Sequence, residues 1–337
     1  MKKIFSLMTG ATLAAVATLV AGNAAAAGLL NVSYDVSRSF YKELNPAFVA
    51  QWKQQTGQTI SIDQSHGGSS KQARAVIDGL DADVVTMNNP LDIDAIADAG
   101  LLPKNWAQQY PDDSSPSWSP IVFVVRKGNP SNIHDWPDLV RSGIQIVVPN
   151  PKTSGNGRYS YLAAWQYART RPGASDTDSI EFEKKLFANV PVLDVGGRDA
   201  TTTFVQRGIG NVLLTFESEA KLILANFGAD QYEVVNPSIT VRADNPVALI
   251  DKVAAKKGNT DLAKAYLKFH YTPAAQEILI RNGLRPSDPA VVQKHVAEFP
   301  PLHTFTVAKD FGGWPHAQKL HFSDGGIFDQ IISRASK

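Results

Sequence analysis

Short runs of apolar and β-branched residues alternate along the chain with longer segments of helical periodicity, and this alternation limits the fold more strongly than any other feature. Near the start, 29–33 precedes a helical pattern at 40–54, and further pairs of this kind follow. Such alternation is typical of βαβ units, in which helices flank a parallel sheet. A strand-like run at 121–126 separates this series from a second one that begins at 144–148. Two series in 337 residues predict an α/β protein with two lobes, each a mixed or parallel sheet flanked by helices.

Residues 1–27 have the composition of a secretory signal. Two lysines near the start precede a mostly apolar segment at 4–21, and a run of alanines ends at Ala27. This order of charged, apolar and small residues predicts export and cleavage. An N-terminal membrane anchor is the alternative, but Thr9 and Thr12 interrupt an apolar segment that barely reaches spanning length. Because no cysteine can carry a lipid, we expect a soluble protein held in a Gram-negative periplasm.

The overall charge and the absence of cysteine exclude several function classes. The chain has 33 basic and 32 acidic residues, a net charge of +1, which is too balanced to attract nucleic acid or an anionic membrane. Without cysteine, the chain has no disulfide, thiolate nucleophile, iron–sulfur cluster or cysteine zinc site. Any anion that binds must therefore be recognised locally.

Three segments share one design, in which a strand ends, glycine and hydroxyl residues follow, and a helix begins. They lie at 65–70, 150–157 and 194–200. The first turn of a helix carries unpaired N–H groups and the positive end of the helix dipole, so each segment predicts a cradle for an anion. Hydroxyls of Ser69, Thr153 and Ser154 add further donors. The alternative is that these loops only cap helices, as they do in many α/β proteins.

The composition of the loops also indicates which anion they suit. The first two loops contain no carboxylate, whereas an anion that keeps a proton at neutral pH, such as phosphate, benefits from an acceptor beside it. A fully deprotonated tetrahedral oxyanion fits better. Asp199 in the third loop is the exception, and we expect it at an exposed helix start, where its charge suits the dipole.

Motifs for catalysis, nucleotides and metals are incomplete in this chain. The run from Gly155 to Ser160 lacks the last glycine of a dinucleotide fingerprint. Ser39 and Lys42 match S-x-x-K, but the elements that would complete a penicillin-recognising enzyme occur in the wrong order. The histidines are scattered, and we expect His66 to form a local hydrogen bond within its loop. We therefore predict no catalytic residue, no metal and no cofactor.

The same loops resemble those of the periplasmic sulfate- and thiosulfate-binding proteins of ATP-binding-cassette importers. The resemblance covers essentially the whole chain after residue 27 and is specific in several runs: Leu-Leu-Asn-Val-Ser-Tyr-Asp at 29–35, Gln-Ser-His-Gly-Gly-Ser at 64–69, Pro-Asn-Pro-Lys-Thr-Ser-Gly at 149–155 and Phe-Gly-Gly-Trp at 311–314. It implies a type II solute-binding fold with the ligand in the cleft between the lobes. We expect one lobe from 28–120 plus 243–337 and the other from 121–242.

The resemblance also implies the binding residues and the partners. It places the ligand donors at Ser69, at Ser154, Gly155 and Asn156, and at Gly197. Arg198 matches a supporting arginine behind the third loop, and Ser70, Thr153 and Asp35 are further supporting residues. The partners would be sulfate or thiosulfate and the membrane permease of an importer. We expect a monomer.

Two positions depart from the sulfate receptor that we compare. Asn156 stands where that receptor has glycine, and Phe216 stands where it has a tryptophan that donates to the ligand. Both variants look more like the thiosulfate receptor. We expect sulfate as the ligand and thiosulfate as a second one. The alternatives are a receptor mainly for thiosulfate or another tetrahedral oxyanion such as molybdate, and a hydrolase of sulfate or phosphate esters.

Overall fold

The computed structural model describes residues 27–335, so the predicted signal at 1–27 lies outside the described residues apart from Ala27, where the first strand begins. The strands are β1 Ala27–Tyr34, β2 Ile60–Gly67, β3 Val84–Thr86, β4 Ser117–Arg126, β5 Ile146–Pro149, β6 Leu193–Asp194, β7 Val212–Phe216, β8 Tyr232–Val235, β9 Thr240–Asp244, β10 Val247–Leu249, β11 Arg285–Pro286 and β12 Thr304–Phe305. The helices are α1 Arg38–Thr56, α2 Ser69–Ile77, α3 Pro90–Asp98, α4 Pro111–Ser114, α5 Gly155–Arg169, α6 Asp176–Ala188, α7 Gly197–Val205, α8 Glu217–Phe227, α9 Asp251–Lys257, α10 Thr260–Phe269, α11 Pro273–Arg281, α12 Pro289–Lys294, α13 Val307–Asp310, α14 Trp314–Ala317 and α15 Ile327–Ala335.

The strands form two separate sheets, one for each lobe. The smaller sheet has the order β10-β3-β1-β2, with parallel pairing except at β10. The larger sheet has the order β12-β9-β4-β7-β5-β6, and β8 and β11 also pair with β4. Within it, β5 runs parallel to β6 and β7, whereas β4 runs antiparallel to β7 and β9. Both sheets bury apolar residues on two faces, as strands covered by helices on both sides do.

The chain crosses between the sheets beside β4, and hydrogen bonds hold the crossings together. The Asn245 N–H donates to the carbonyl of Ser117 at 2.9 Å, and the Asn245 amide donates to the Ser117 hydroxyl at 3.1 Å. A later crossing, β11, pairs with β4 through Arg285 and Trp118. These crossings bring the carboxyl ends of strands from both lobes to one interface.

The C-terminal tail packs on the larger lobe, whereas the sequence assigned all of 243–337 to the lobe of the smaller sheet. Thr304 pairs with Thr240 in the larger sheet, and the aromatic rings of the tail join its core. Phe322 and Phe328 pack edge-on against the ring of Tyr161 in α5, at centroid distances of 5.2 and 6.0 Å. The reason is burial of aromatic surface, because α5 presents apolar residues on nearly all sides.

Candidate functional site

The three predicted loops meet where the two lobes face each other. A β-carbon built at Gly68, just before α2, would lie 2.7 Å from the carbonyl oxygen of Thr153 and 3.1 Å from that of Val195. Glycine at this position therefore lets the first loop contact the second and third. The Thr153 hydroxyl also donates to the Val195 carbonyl at 2.8 Å and joins the second loop to the third.

Each loop ends at the first residue of a helix with at least two turns. α2 begins at Ser69, α5 at Gly155 and α7 at Gly197, so each helix begins before the end of the predicted loop and includes its last residues. The first N–H groups of these helices have no partner within the helix and concentrate positive potential at the interface. The N–H of Ser154 already donates to Asn150 at 3.0 Å, so the hydroxyl remains the group with which Ser154 can donate to a ligand.

Two serine hydroxyls at the start of α2 are buried without a partner. The Oγ atoms of Ser69 and Ser70 form no hydrogen bond within residues 27–335, and Ser69 is only 1% exposed. A buried hydroxyl without a hydrogen bond destabilises the folded protein, so an acceptor that bonds to these groups would lower the free energy. A bound anion would satisfy them.

The side chain of Asn156 is directed into the larger lobe. Its Nδ2 donates to the Thr215 hydroxyl at 3.1 Å, and its Oδ1 accepts from the Ser160 hydroxyl at 3.2 Å. Both polar ends of the side chain are therefore engaged. Only the backbone N–H of Asn156 remains for a ligand, which explains how asparagine can replace a glycine here.

Asn88 is a site residue that the sequence analysis missed. It follows β3 in the smaller lobe, and a β-carbon at Gly155 would collide with its Oδ1. Oδ1 has no hydrogen-bond partner in the described part of the chain. A lone asparagine outside any motif gives no local signal, and its role arises only when the lobes meet.

The third loop is held by Asp35 from the opposite lobe. Its Oδ2 accepts from the N–H of Arg198 at 2.9 Å, and its Oδ1 accepts from the N–H of Val36 at 3.0 Å. Burial raises the pKa of this carboxyl, and the two N–H donors oppose that shift. Asp199 is exposed in the first turn of α7, as predicted. Asp35 thus joins the start of α7 to the smaller lobe.

A second carboxylate behind the third loop was also missed. Glu219 is fully buried and accepts from the Thr201 hydroxyl at 2.7 Å, while its Oε1 lies 3.2 Å from the Arg198 guanidinium. Burial raises the pKa of Glu219 to about 7, although Arg198 opposes the shift. The charge of Arg198 is therefore directed to a carboxylate of its own lobe.

Arg158, the residue that follows the second loop, is paired as well. The Nη1 of Arg158 lies 3.1 Å from Oδ1 of Asp92 across the lobes, and both side chains are buried. Its Nε donates to the Pro151 carbonyl at 3.1 Å. Because Arg158 and Arg198 are both directed at carboxyl groups, helix starts and neutral donors remain to contact an anion at the interface.

Phe216 is buried in the core of the larger lobe at the end of β7. It is 1% exposed, and its ring packs edge-on against Tyr159 at 6.1 Å between centroids. A phenylalanine ring has no hydrogen-bond donor to offer a ligand. Its contact with a ligand remains a prediction.

His66 contacts β1 rather than its own loop, so the expectation of a hydrogen bond within the loop is wrong. Its Nδ1 lies 3.3 Å from the carbonyl of Tyr34, and burial together with nearby Arg38 lowers the pKa of the imidazole to about 4. The ring is thus neutral at pH 7. In residues 27–335, no group of three or more His, Asp or Glu side chains is placed to hold a metal ion, and no helix has the length and apolar character to cross a membrane.

Comparison with known proteins assigns the family. A family model described as bacterial extracellular solute-binding protein matches residues 30–285. The chain belongs to this family. Among bacterial extracellular solute-binding proteins, a thiosulfate-binding protein of Pseudomonas aeruginosa is 55% identical over 335 residues and covers 99% of each chain. A sulfate-binding protein of Escherichia coli K12 is 50% identical over 306 residues, which is 91% of this chain and 93% of that protein.

A solved solute-binding structure confirms the fold. The sulfate-binding protein SubI of Mycobacterium tuberculosis superposes with a TM-score of 0.79 at 33% identity, over 87% of this chain and 98% of the other. The predicted two-lobed α/β solute-binding fold is therefore correct, and so is the predicted family.

Proposed function

We propose that this protein binds sulfate between its lobes, binds thiosulfate as a second ligand, and delivers both to the membrane permease of an ATP-binding-cassette importer. The observation that carries the proposal is the meeting of three helix starts around the unpaired hydroxyl of Ser69. Close relatives that are named sulfate- and thiosulfate-binding proteins support it.

The chemistry of the donors favours an anion without protons. The donors at the interface are backbone amides and hydroxyls, and the nearby guanidinium groups of Arg158 and Arg198 are paired with carboxylates. Both oxygens of Asp35 already accept N–H groups. Among the three loops, carboxylates occur only in the third, where Asp194 has one oxygen without a hydrogen-bond partner and Asp199 is exposed. A ligand that must itself donate, such as hydrogen phosphate, therefore finds no carboxylate acceptor in the first two loops.

We include thiosulfate as a second ligand for two reasons, the side chain of Phe216 and the similarity to proteins named for thiosulfate. The terminal sulfur of thiosulfate is a weaker hydrogen-bond acceptor than an oxygen of sulfate. A site that lacks one donor, as this one does at Phe216, therefore loses less affinity for thiosulfate than for sulfate. The Pseudomonas relative named for thiosulfate is 55% identical to this chain. A receptor mainly for thiosulfate is thus the second candidate.

Location and partners follow from the same family. The predicted signal at 1–27 and membership of the extracellular solute-binding proteins support a periplasmic protein. We include the permease, the monomeric state and the absence of catalysis in the proposal. A binding role needs no nucleophile with an adjacent base, and the first two loops contain no carboxylate that could serve as one.

Titration and turnover assays test the proposal together. We expect sulfate and thiosulfate to release heat in isothermal titration of the desalted protein, and molybdate to bind more weakly because it is larger. We also expect no hydrolysis of aryl sulfates or aryl phosphates. Turnover of either ester, or tighter binding of molybdate than of sulfate, would overturn it.

A further inference from the structure

A second cavity lies between the lobes, apart from the three loops. Its volume is about 260 Å³, and its walls come from α3, from the segment that leads into β4, from α5, β9 and α14. None of its lining residues belongs to 65–70, 150–157 or 194–200. It is therefore distinct from the proposed oxyanion site.

Three aromatic side chains form much of this cavity. Trp106, Tyr159 and Trp314 line it, and the rings of Tyr159 and Trp314 pack edge-on at 5.0 Å between centroids. All three residues are buried, which places their rings away from bulk water. Aromatic faces attract cations, and the attraction grows when water is excluded.

The cavity also carries unbalanced negative charge. Asp94, Asp113 and Asp244 line it together with one cation, Arg242. Arg242 is paired with Asp244 at 2.8 Å. Asp94 accepts a hydrogen bond from the Trp106 indole at 2.9 Å, but neither Asp94 nor Asp113 has an ion-pair partner in the described residues 27–335. Two carboxylates thus remain to neutralise a ligand.

The hydroxyl of Tyr159 gives an independent sign of a ligand. Tyr159 is 1% exposed and lines the cavity, yet its hydroxyl forms no hydrogen bond with the residues that the structure describes. Burial raises the pKa of this hydroxyl, and the nearby carboxylates of Asp244 and Asp92 raise it further. Because Tyr159 lines the cavity, a ligand there could supply the hydrogen-bond partner that the hydroxyl lacks.

We propose that this cavity binds a small organic ammonium ion, with the charge beside Asp94 and Asp113 and the carbon atoms against Trp106, Tyr159 and Trp314. A metal ion fits less well, because the described residues contain no group of three ligating side chains placed to hold one. The aromatic walls suit alkyl groups that carry a delocalised positive charge. This inference is separate from the proposed oxyanion function.

Choline chloride is the probe, titrated calorimetrically into the full protein in sulfate-free buffer. We expect saturable binding with a Kd below about 1 mM, and no binding of dimethylbutanol, which has the same shape without charge. Asp94→Asn and Asp113→Asn should each weaken choline binding at least about fivefold by removing an attracting charge. Asn tolerates the left-handed backbone at residue 113, where φ is 51°, so this second variant keeps the loop.

Asp98→Asn is the matched control, because Asp98 lies on the same helix but is exposed and paired with Lys104 outside the cavity. It should bind choline like the parent. The proposal is overturned if choline gives no more heat than sodium chloride of equal ionic strength. It is also overturned if dimethylbutanol binds equally well, or if the control loses as much affinity as the two cavity variants.

Discussion

A methyl group added at Gly155 tests how closely the lobes must approach the start of α5. The β-carbon of Gly155→Ala would collide with Oδ1 of Asn88 and lie 2.9 Å from its Cγ. The end of the Asn88 side chain must therefore move away from the start of α5, so that its polar atoms no longer hold their position beside the ligand. Loss of one charge-assisted hydrogen bond of about 1.5–3 kcal/mol corresponds to roughly a ten- to hundredfold weaker Kd for sulfate.

A double-mutant cycle isolates this collision. Sulfate affinity is measured by isothermal titration for the parent, Gly155→Ala, Asn88→Ala and the double variant. In the Asn88→Ala background the added methyl has room, so we expect it to change the Kd less than about threefold. Gly67→Ala is the matched control in the first loop, because its β-carbon would meet Gln72 at an ordinary 3.4 Å.

Two results would refute this reasoning. One is a Gly155→Ala protein that binds sulfate like the parent, which would show that the lobes tolerate the extra volume. The other is an equal loss in both backgrounds, which would show that Asn88 does not set the requirement for glycine.

Three other variants test ligand selectivity and stability. Phe216→Trp should raise the ratio of sulfate to thiosulfate affinity by up to about tenfold, the worth of one hydrogen bond of about 1.4 kcal/mol; an unchanged ratio by titration would exclude Phe216 from selectivity. Lys152→Ala should lower the unfolding temperature, because the Lys152 ammonium contacts Asp329 and the Phe322 carbonyl at 2.9 Å, but it should change the sulfate Kd less than threefold. Burial raises the pKa of Glu183, so its stability cost appears as the pH rises above about 4.5. Urea unfolding should therefore show Glu183→Gln to be more stable than the parent at pH 8, with little difference at pH 4; equal stability at both pH values would contradict this assignment.

The sequence predicted the parts of the molecule that depend on local pattern. Alternating strands and helices follow from apolar periodicity, and the presence of a helix after each of the three loops follows from glycine and hydroxyl residues after a strand, although the helices begin at Ser69, Gly155 and Gly197, inside the predicted loops. These signals lie within a few residues of one another. They need no knowledge of how the lobes meet.

The parts that were missed depend on contacts between distant segments. Asn88 acts on a loop of the other lobe, and Glu219 meets Arg198 from a different helix. The side chain of Asn156 turns inward because Thr215 offers a partner there. The aromatic tail could cover either lobe on apolar content alone, and its packing on Tyr161 of α5 is a contact between segments far apart in the chain.

Discrimination between sulfate and phosphate tests the central claim, that neutral donors at three helix starts hold an anion without protons. Both anions are titrated into the desalted protein at pH 8, where phosphate is mostly a dianion that still carries one proton. We expect sulfate to bind at least about a hundredfold more tightly, because the first two loops offer the proton of phosphate no carboxylate acceptor. Phosphate affinity within tenfold of sulfate affinity would contradict the account.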